Sequence, residues 1–495
     1  MSLTRIIFDW LKQRAARIDL TRANAVSRQS QQSQLEQARA LMSQGLHAAA
    51  EIHFERLVAR FPDDATIRNE LGFIKYSQGD FSGSETIFRE AIALAPRYPT
   101  AMVNLGQSLQ VRGIFDQALP LFEAALQIEP GHAQARSNLA VACYALGDRK
   151  RAAAACMELI AVSPDDAAAH VALGECLLAL EEFEAGWREY EWRLQVAEYA
   201  GFFRDYREPL WDGFEQPGAS LLIWPEQGYG DTIQFMRLAR HVAEQMRSLH
   251  VILEVPEGLF RLARYSCADC ANLTVVDSRR PLPAFTCHAS LMSLPRLLRQ
   301  SLASDPSPGP YLRVEPELVA QWTERLSHAS AGRLKIGLVW AGNRREQLGF
   351  TEQAVDARRS IGAELMSGLL DVPGCDFVNL QVGVRAADMA LLGFKLIDFT
   401  ADLADFADTA ALIACLDLVV TVDTSVVHLV GALGKPVWML SRFDACWRWG
   451  ARRTEVPWYP TLRPFYQPAP GVWEPVVKEV RRALLTLADH RALSA

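Results

Sequence analysis

The chain is 495 residues long, with a formal net charge of −7, half of its residues hydrophobic and 22% charged. At about 100–200 residues per domain that length allows several domains with sizeable cores, and the acidic balance gives no electrostatic case for nucleic acid, which needs a basic face. Nine cysteines follow no disulfide framework, and with no secretory signal the expectation is a cytoplasmic protein in a reducing compartment. No apolar run reaches the roughly 20 residues of a membrane-spanning helix.

At the start, Leu3, Ile6, Ile7, Trp10 and Leu11 fall at helical spacing among basic residues. Such a face either covers the end of the segment behind it, making residues 1–30 an N-terminal cap, or lies on a membrane surface. From residue 31 to 197 the punctuation is periodic. Pro62, Pro96, Pro130 and Pro164 recur every 34 residues, as do Gly45, Gly79, Gly113 and Gly147. Phe54, Phe88 and Phe122 share the spacing, with Cys156 in the fourth place. Leu71-Gly72, Leu105-Gly106 and Leu173-Gly174 mark the first helix of their units, with Leu139-Ala140 between them. This period, with small residues where two helices touch, resembles the tetratricopeptide repeat. Each unit is then a helical hairpin that buries its apolar face only by stacking on neighbours, and the concave side of the stack is a binding surface.

The fifth unit departs from register: Arg193 stands where a small residue is usual, and Trp187, Tyr190 and Trp192 form either a ligand platform or an aromatic joint onto the next domain. Residues 198–218 are an aperiodic linker. From 219 to 310 strands and helices alternate: Leu221–Trp224, Val251–Val255 and Leu273–Val276 read as strands, and Thr232–Glu244 as a helix. Cys267-Ala-Asp-Cys270 cannot fill a tetrahedral zinc site alone, so ordinary buried thiols are expected and no metal. A Pro/Ser-rich hinge, Ser301–Pro310, leads into residues 311–495. There Lys335–Trp340, Phe377–Leu380, Ile397–Phe399, Leu418–Val422 and Val437–Leu440 read as strands, and Trp473–Ala488 as a closing helix. The expected fold is thus an all-α repeat solenoid followed by two doubly wound α/β domains with a cleft between their strand ends.

Two stretches carry the candidate chemistry. Gly228-Tyr-Gly230-Asp231 follows the first strand; the third glycine of a dinucleotide fingerprint would fall at Ile233, so an NAD-dependent oxidoreductase is disfavoured. Gly228 and Gly230, and Gly342-Asn343 after a later strand, would let a substrate approach the backbone. Asp231 either caps the following helix or acts as a base, and the roles are compatible. The second stretch, Asp423-Thr-Ser-Val-Val-His428, places a helix N-terminus at the end of a strand, where a phosphate sits well.

Taken together, Pro209-Leu-Trp-Asp-Gly213, Glu226-Gln-Gly-Tyr-Gly-Asp-Thr-Ile-Gln-Phe235, Gly337-Leu-Val-Trp-Ala-Gly-Asn343, Arg359-Ser-Ile361, Asp405-Phe-Ala-Asp-Thr-Ala410 and Val422-Asp-Thr-Ser-Val-Val-His-Leu429 resemble bacterial proteins that join tetratricopeptide repeats to a glycosyltransferase domain of the ADP-heptose:lipopolysaccharide heptosyltransferase type. The resemblance implies a GT-B architecture: an acceptor-side domain, a C-terminal domain binding a nucleotide-sugar donor, and inverting transfer with no cofactor and no obligatory metal. It implies Asp231 as general base and Asp423, Thr424, Ser425 and His428 as holders of the donor diphosphate. Heptosyltransferases carry a lysine where this chain has Arg344 and Arg345, and an insertion, Glu346–Val355, follows. Arg359 is the arginine expected to meet the phosphate. Trp447-Arg448-Trp449 either stacks on a sugar or base or packs beneath the cleft. The repeats suggest a protein or peptide acceptor on their concave face; a lipopolysaccharide or lipid-linked acceptor and a non-catalytic repeat scaffold are the alternatives.

Overall fold

The structure is a computed structural model that describes residues 31–299, 309–330, 332–342, 349–392, 396–450 and 453–494. The amphipathic segment 3–11, most of the 301–310 hinge, Asn343, Arg344 and Arg345 lie outside the described residues. The chain packs as two compact units, Met1–Leu139 and Ala140–Ala495.

The first unit is helical: residues 31–43 (α1), His47–Arg60 (α2), Ala65–Ser77 (α3), Phe81–Leu94 (α4), Pro99–Val111 (α5) and Phe115–Ile128 (α6), with Ala133–Ala145 (α7) spanning the division at residue 139. The hairpins follow from local chemistry repeated in register. Asp64 accepts from the Thr66 and Ile67 N–H groups and Asp80 from Gly83 N–H, satisfying orphan donors at the starts of α3 and α4. Between the helices of a pair the chain turns through a left-handed residue, at φ 74° for Gly45, 81° for Gly79 and 77° for Gly113.

The 34-residue pairing of glycine with phenylalanine has a packing cause. A Cβ on Gly72 would lie 2.6 Å from Phe88 Cε1, so the Phe88 ring fills the space a side chain would need. Gly106 stands in the same relation to Phe122. At the same offset in the next repeat both members change, to Ala140 and Cys156, and both are buried. A larger residue on one helix is matched by a smaller one on the other, as close packing demands.

The second unit continues the repeats with Arg149–Val162 (α8), Ala167–Ala179 (α9) and Phe183–Tyr190 (α10). Here the left-handed position, Gly147 at φ 91° in the fourth repeat, is taken in the fifth by Glu181 at φ 67°. After residue 219 come two parallel sheets. The first contains Ser220–Trp224 (β1), His250–Val255 (β2), Leu273–Asp277 (β3) and Cys287–Ser290 (β4), in the order β3-β2-β1-β4. Its helices are Tyr229–Gln245 (α11), Glu257–Ser266 (α12) and Leu294–Leu297 (α13).

The second sheet contains Leu334–Val339 (β5), Cys375–Asn379 (β6), Ile397–Asp398 (β7), Leu418–Val422 (β8), Val437–Ser441 (β9) and Leu462–Tyr466 (β10), ordered β10-β9-β8-β5-β6-β7. All of its pairings are parallel. Its helices are Pro316–Ala329 (α14), Phe350–Arg359 (α15), Ala363–Met366 (α16), Phe406–Ala414 (α17), Ser425–Ala432 (α18) and Glu474–Ser494 (α19).

Each sheet reverses its winding once, between β1 and β4 in the first and between β5 and β8 in the second. Crossovers leave opposite faces there and open a crevice at the strand carboxyl ends. One apolar core runs from Val171, Leu178 and Trp187 of the last repeats along one face of the first sheet to α17, α18 and Trp447, while Leu222, Trp224 and Ile252 of the other face form a smaller cluster of their own. Another lies between the second sheet and α19. The linker is not loose: Trp211 N–H donates to His288 O at 2.8 Å and His288 N–H to Pro209 O at 3.1 Å, adding a rung beside β4.

Gly72→Ala is expected to destabilise the first unit by about 1–3 kcal/mol through overpacking, and Phe88→Cys in the same chain to recover part of that loss. Urea unfolding of the two single variants and the double variant measures the coupling; simple additivity would contradict the packing account.

Candidate functional site

The cleft forms where the two switch points meet. Strand β1 ends at Trp224, and the loop 225–228 turns through Gln227 at φ 63° before α11 begins. The loop is anchored from behind. Arg193, 1% exposed, donates Nε and Nη2 to Glu226 at 3.0 and 2.7 Å, and Nη2 also reaches Ser293 Oγ at 2.8 Å. The departure at Arg193 in the fifth repeat is therefore a fixed ion pair that positions the glycine loop.

Helix α11 starts at Tyr229, three residues earlier than the sequence pattern places it, so Asp231 lies in its first turn. Asp231 Oδ2 accepts from Gly228 N–H at 3.1 Å, a cap made from inside the helix. Oδ1 accepts from Arg448 Nη2 at 2.6 Å.

Opposite, β8 ends at Val422 and α18 begins at Ser425. Thr424 is the N-cap, its Oγ1 accepting from Val426 N–H at 3.3 Å. Helices α11 and α18 touch at their N-terminal ends. A Cβ on Gly230 would lie 2.9 Å from His428 Cδ2 and 3.5 Å from Ser425 Cα, so only glycine permits this approach. His428 is buried with Nδ1 3.0 Å from the Tyr459 hydroxyl and its ring beside Trp449. Burial, followed by the nearby charges of Arg448 and Arg237, pushes His428 well below the ordinary imidazole value of 6.5, so it stands neutral.

From the second sheet, Gln381 Oε1 accepts from the N–H groups of Trp340 and Ala341 at 3.1 and 2.9 Å and fixes the chain after β5. Gly342 lies against Arg359, whose Nε would be 2.5 Å from an added Cβ. The Arg359 fork is bound to Asp356 at 2.9 and 2.7 Å, with Nη1 3.4 Å from Asp423 O.

These elements line one cleft of about 700 Å3 that brings together Gly228, Gly230, Asp231, Gly342, Arg359, Asp423, Thr424, Ser425 and His428. Among the site residues expected from sequence, Asn343 alone lies outside the described residues. The same cleft is lined by Arg442 and Arg448, which the sequence pattern does not single out as site residues. Arg442 directly follows β9, and its place at the carboxyl end of a strand beside the switch point is the signal available. Its Nε lies 3.6 Å from Asp444 Oδ1, while Nε and Nη1 are buried without a hydrogen-bond partner among the described residues. Three guanidiniums, Arg359, Arg442 and Arg448, thus face the cleft against the carboxylates Asp231 and Asp423, and the α11 and α18 N-termini add positive dipole ends. The arrangement suits a multiply charged anion beside a carboxylate.

Of the two readings of Trp447-Arg448-Trp449, packing holds for the tryptophans. Trp447 packs against Trp187 at 5.2 Å between ring centroids, and Trp449 is buried beside His428. Trp187, Trp447 and Phe235 make the aromatic joint between the last repeat and the α/β region. Burial pushes Cys267 up to about 12, and Cys270 is also raised, as inert thiols. Among the described residues no group of three or more His, Cys, Asp or Glu side chains could hold a metal ion, and no helix is long and apolar enough to cross a membrane.

Comparison with known proteins supports the repeats directly. The tetratricopeptide repeat family matches residues 35–99, 112–162 and 144–190, so the N-terminal region carries these repeats. Such repeats suggest a protein-interaction scaffold. Protein FlbA of Caulobacter vibrioides (strain ATCC 19089 / CIP 103742 / CB 15) is 30% identical over 350 residues, which cover 66% of this chain and 56% of FlbA. The chain thus spans little more than half the length of that curated relative. Among solved structures, MamA from Desulfovibrio magneticus RS-1 (residues 41 to the end) is 17% identical, covering 34% of this chain and 95% of its own, with a TM-score of 0.32. The thermophilic repeat protein TTC0263 of Thermus thermophilus is 22% identical, covering 34% of this chain and 92% of its own, with a TM-score of 0.30.

The low value at His428 fixes a sign. A histidine held neutral in the fold takes up its proton more readily when unfolded, so its contribution is present above pH 6.5 and lost on acidification. Between pH 6.5 and about 5, His428→Gln is expected to lose stability less steeply than the unmodified chain, by up to about 1.4 kcal/mol per pH unit. Thermal unfolding across that range reads the difference; identical slopes would count against it. Glu226→Gln is expected to cost about 3–5 kcal/mol because it leaves the buried Arg193 unpaired, as chemical denaturation can measure.

Proposed function

We propose that this chain is a glycosyltransferase of GT-B architecture that moves a sugar from a nucleotide-sugar donor to a protein or peptide acceptor recruited by the repeats. The observation that carries this reading is the meeting, in one cleft, of Asp231 from the first sheet with the α18 N-terminus and Arg442 from the second. In that geometry the donor diphosphate lies against Thr424, Ser425 and the guanidiniums. Asp231 removes the proton from an acceptor hydroxyl as its oxygen attacks the sugar's anomeric carbon. The bond from that carbon to the diphosphate oxygen breaks, the nucleoside diphosphate departs with its electron pair, and the anomeric configuration inverts. Charge on the leaving group is met by backbone N–H groups and arginines, so the step as written asks for no metal. Neutral His428 supports the crossing of α11 and α18 and lies against the donor side of the cleft.

The peptide acceptor is favoured by the tetratricopeptide repeats at residues 35–190, since extended repeat surfaces suit polypeptides. The relation to FlbA extends over 350 residues, more than the repeats alone occupy, and so includes part of the α/β region.

The test is a panel of nucleotide sugars, assayed for donor hydrolysis and for transfer to protein from the source cell, with the unmodified chain and Asp231→Asn. Turnover of one donor is expected, with Asp231→Asn lowering kcat by about 10²–10⁴. Failure to bind any of ADP, GDP, UDP, CDP or dTDP in calorimetry would instead favour a non-catalytic repeat scaffold.

A further inference from the structure

Arg448 joins the two walls of the cleft. It belongs to the loop after β9, yet its Nη2 donates to Asp231 Oδ1 at 2.6 Å and its Nε to Gln234 Oε1 at 2.8 Å, both acceptors on α11. The side chain is 11% exposed, and its guanidinium lies 4.4 Å from the Trp447 ring centroid and 5.9 Å from that of Phe235. With Oδ2 bound to Gly228 N–H, each Asp231 oxygen already accepts a donor. A carboxylate so occupied is a poor place for an acceptor hydroxyl to leave its proton. Arg448 also lines the cavity that holds Ser425, His428 and Arg442.

We propose that Arg448 is a clasp: it holds Asp231 while the cleft is empty and passes its guanidinium to the diphosphate of an arriving donor, which frees the carboxylate to take the acceptor's proton. The inference rests on the transferase reading above and assigns Arg448 a positioning role within it.

The physical reason is charge accounting. A guanidinium buried to this extent needs an anion at all times, and breaking its pair without replacement is costly. A diphosphate between the α18 N-terminus and Arg442 supplies that replacement within reach of the same fork, which binds phosphate and carboxylate with similar geometry. The Trp447 ring, its centroid 4.4 Å from the guanidinium carbon, stays beside the fork as it changes partner. Arg442, whose Nε and Nη1 have no hydrogen-bond partner among the described residues, offers a second guanidinium to the same anion. Donor binding and release of the base then become one event, so donor binds first and acceptor second.

Calorimetry on the full chain with inorganic pyrophosphate, ADP, GDP and UDP tests this through a double-mutant cycle of Asp231→Asn and Arg448→Gln. Because Asp231 competes with phosphate for Arg448, Asp231→Asn is expected to tighten binding by about fivefold or more. Arg448→Gln is expected to weaken binding by about tenfold or more. In the Arg448→Gln background, Asp231→Asn should change affinity less than about twofold. Equal tightening in both backgrounds means a general loss of negative charge and overturns the clasp. Unchanged affinity in Asp231→Asn also overturns it, leaving the transferase reading intact. If no probe binds the unmodified chain or either variant, both readings fall. Should Asp231→Asn not fold by far-ultraviolet circular dichroism, Arg448→Gln decides alone, and pyrophosphate affinity equal to that of the unmodified chain overturns the proposal.

Discussion

The site depends on the close contact of two helix N-termini, α11 at Gly230 and α18 at Ser425 and His428. Two positive dipole ends brought this near repel each other, and the contact needs negative charge beside it. Asp231 supplies it within the first turn of α11. Arg448 then balances Asp231, and three arginines gather at the cleft although the chain as a whole carries −7. Local sign, rather than net charge, sets what this surface attracts.

Much of this is legible in the sequence because it is periodic or local. The 34-residue spacing identifies the hairpins, and β-branched runs such as Leu418–Val422 mark buried parallel strands. Strands β4 and β10 escape that reading for chemical reasons. Cys287-His-Ala-Ser290 has no β-branched residue, and Leu462–Tyr466 contains Pro464, which suits only an edge strand, as β10 is. The start of α11 is misplaced from sequence because Gly228-Tyr-Gly230 looks like a loop, whereas contact with α18 recruits Tyr229 and Gly230 into a helix.

Long-range partners are the part the sequence hides. Asp231 is a candidate from its place after a strand, but nothing local points to Arg448, 217 residues away in the chain, as its partner. Arg359, the arginine expected at the phosphate, does line the cleft, but its internal partner is hidden in the same way: Asp356, three residues before it, holds its fork, and Arg358 is held by Asp444. Arginine type alone does not tell how far a guanidinium that faces the cleft is already engaged by a carboxylate; the three-dimensional partner does.

The last repeats belong physically to the α/β region and stiffen the site from behind. Arg193 crosses from the fifth repeat to Glu226, Trp187 packs on Phe235 and Trp447, and Arg149 of α8 donates to Ala445 O in the loop that carries Arg442 and Arg448. A buried ion pair such as Arg193–Glu226 gains little stability over an apolar pair of the same volume, because both charges must leave water. Its use here is directional. The fork accepts Glu226 in one orientation, and that orientation presents Gly228, Gly230 and Asp231 to the cleft. An apolar joint would fill the same space while leaving the loop free to rotate, and the base role proposed for Asp231 needs placement to a fraction of an ångström more than it needs added stability.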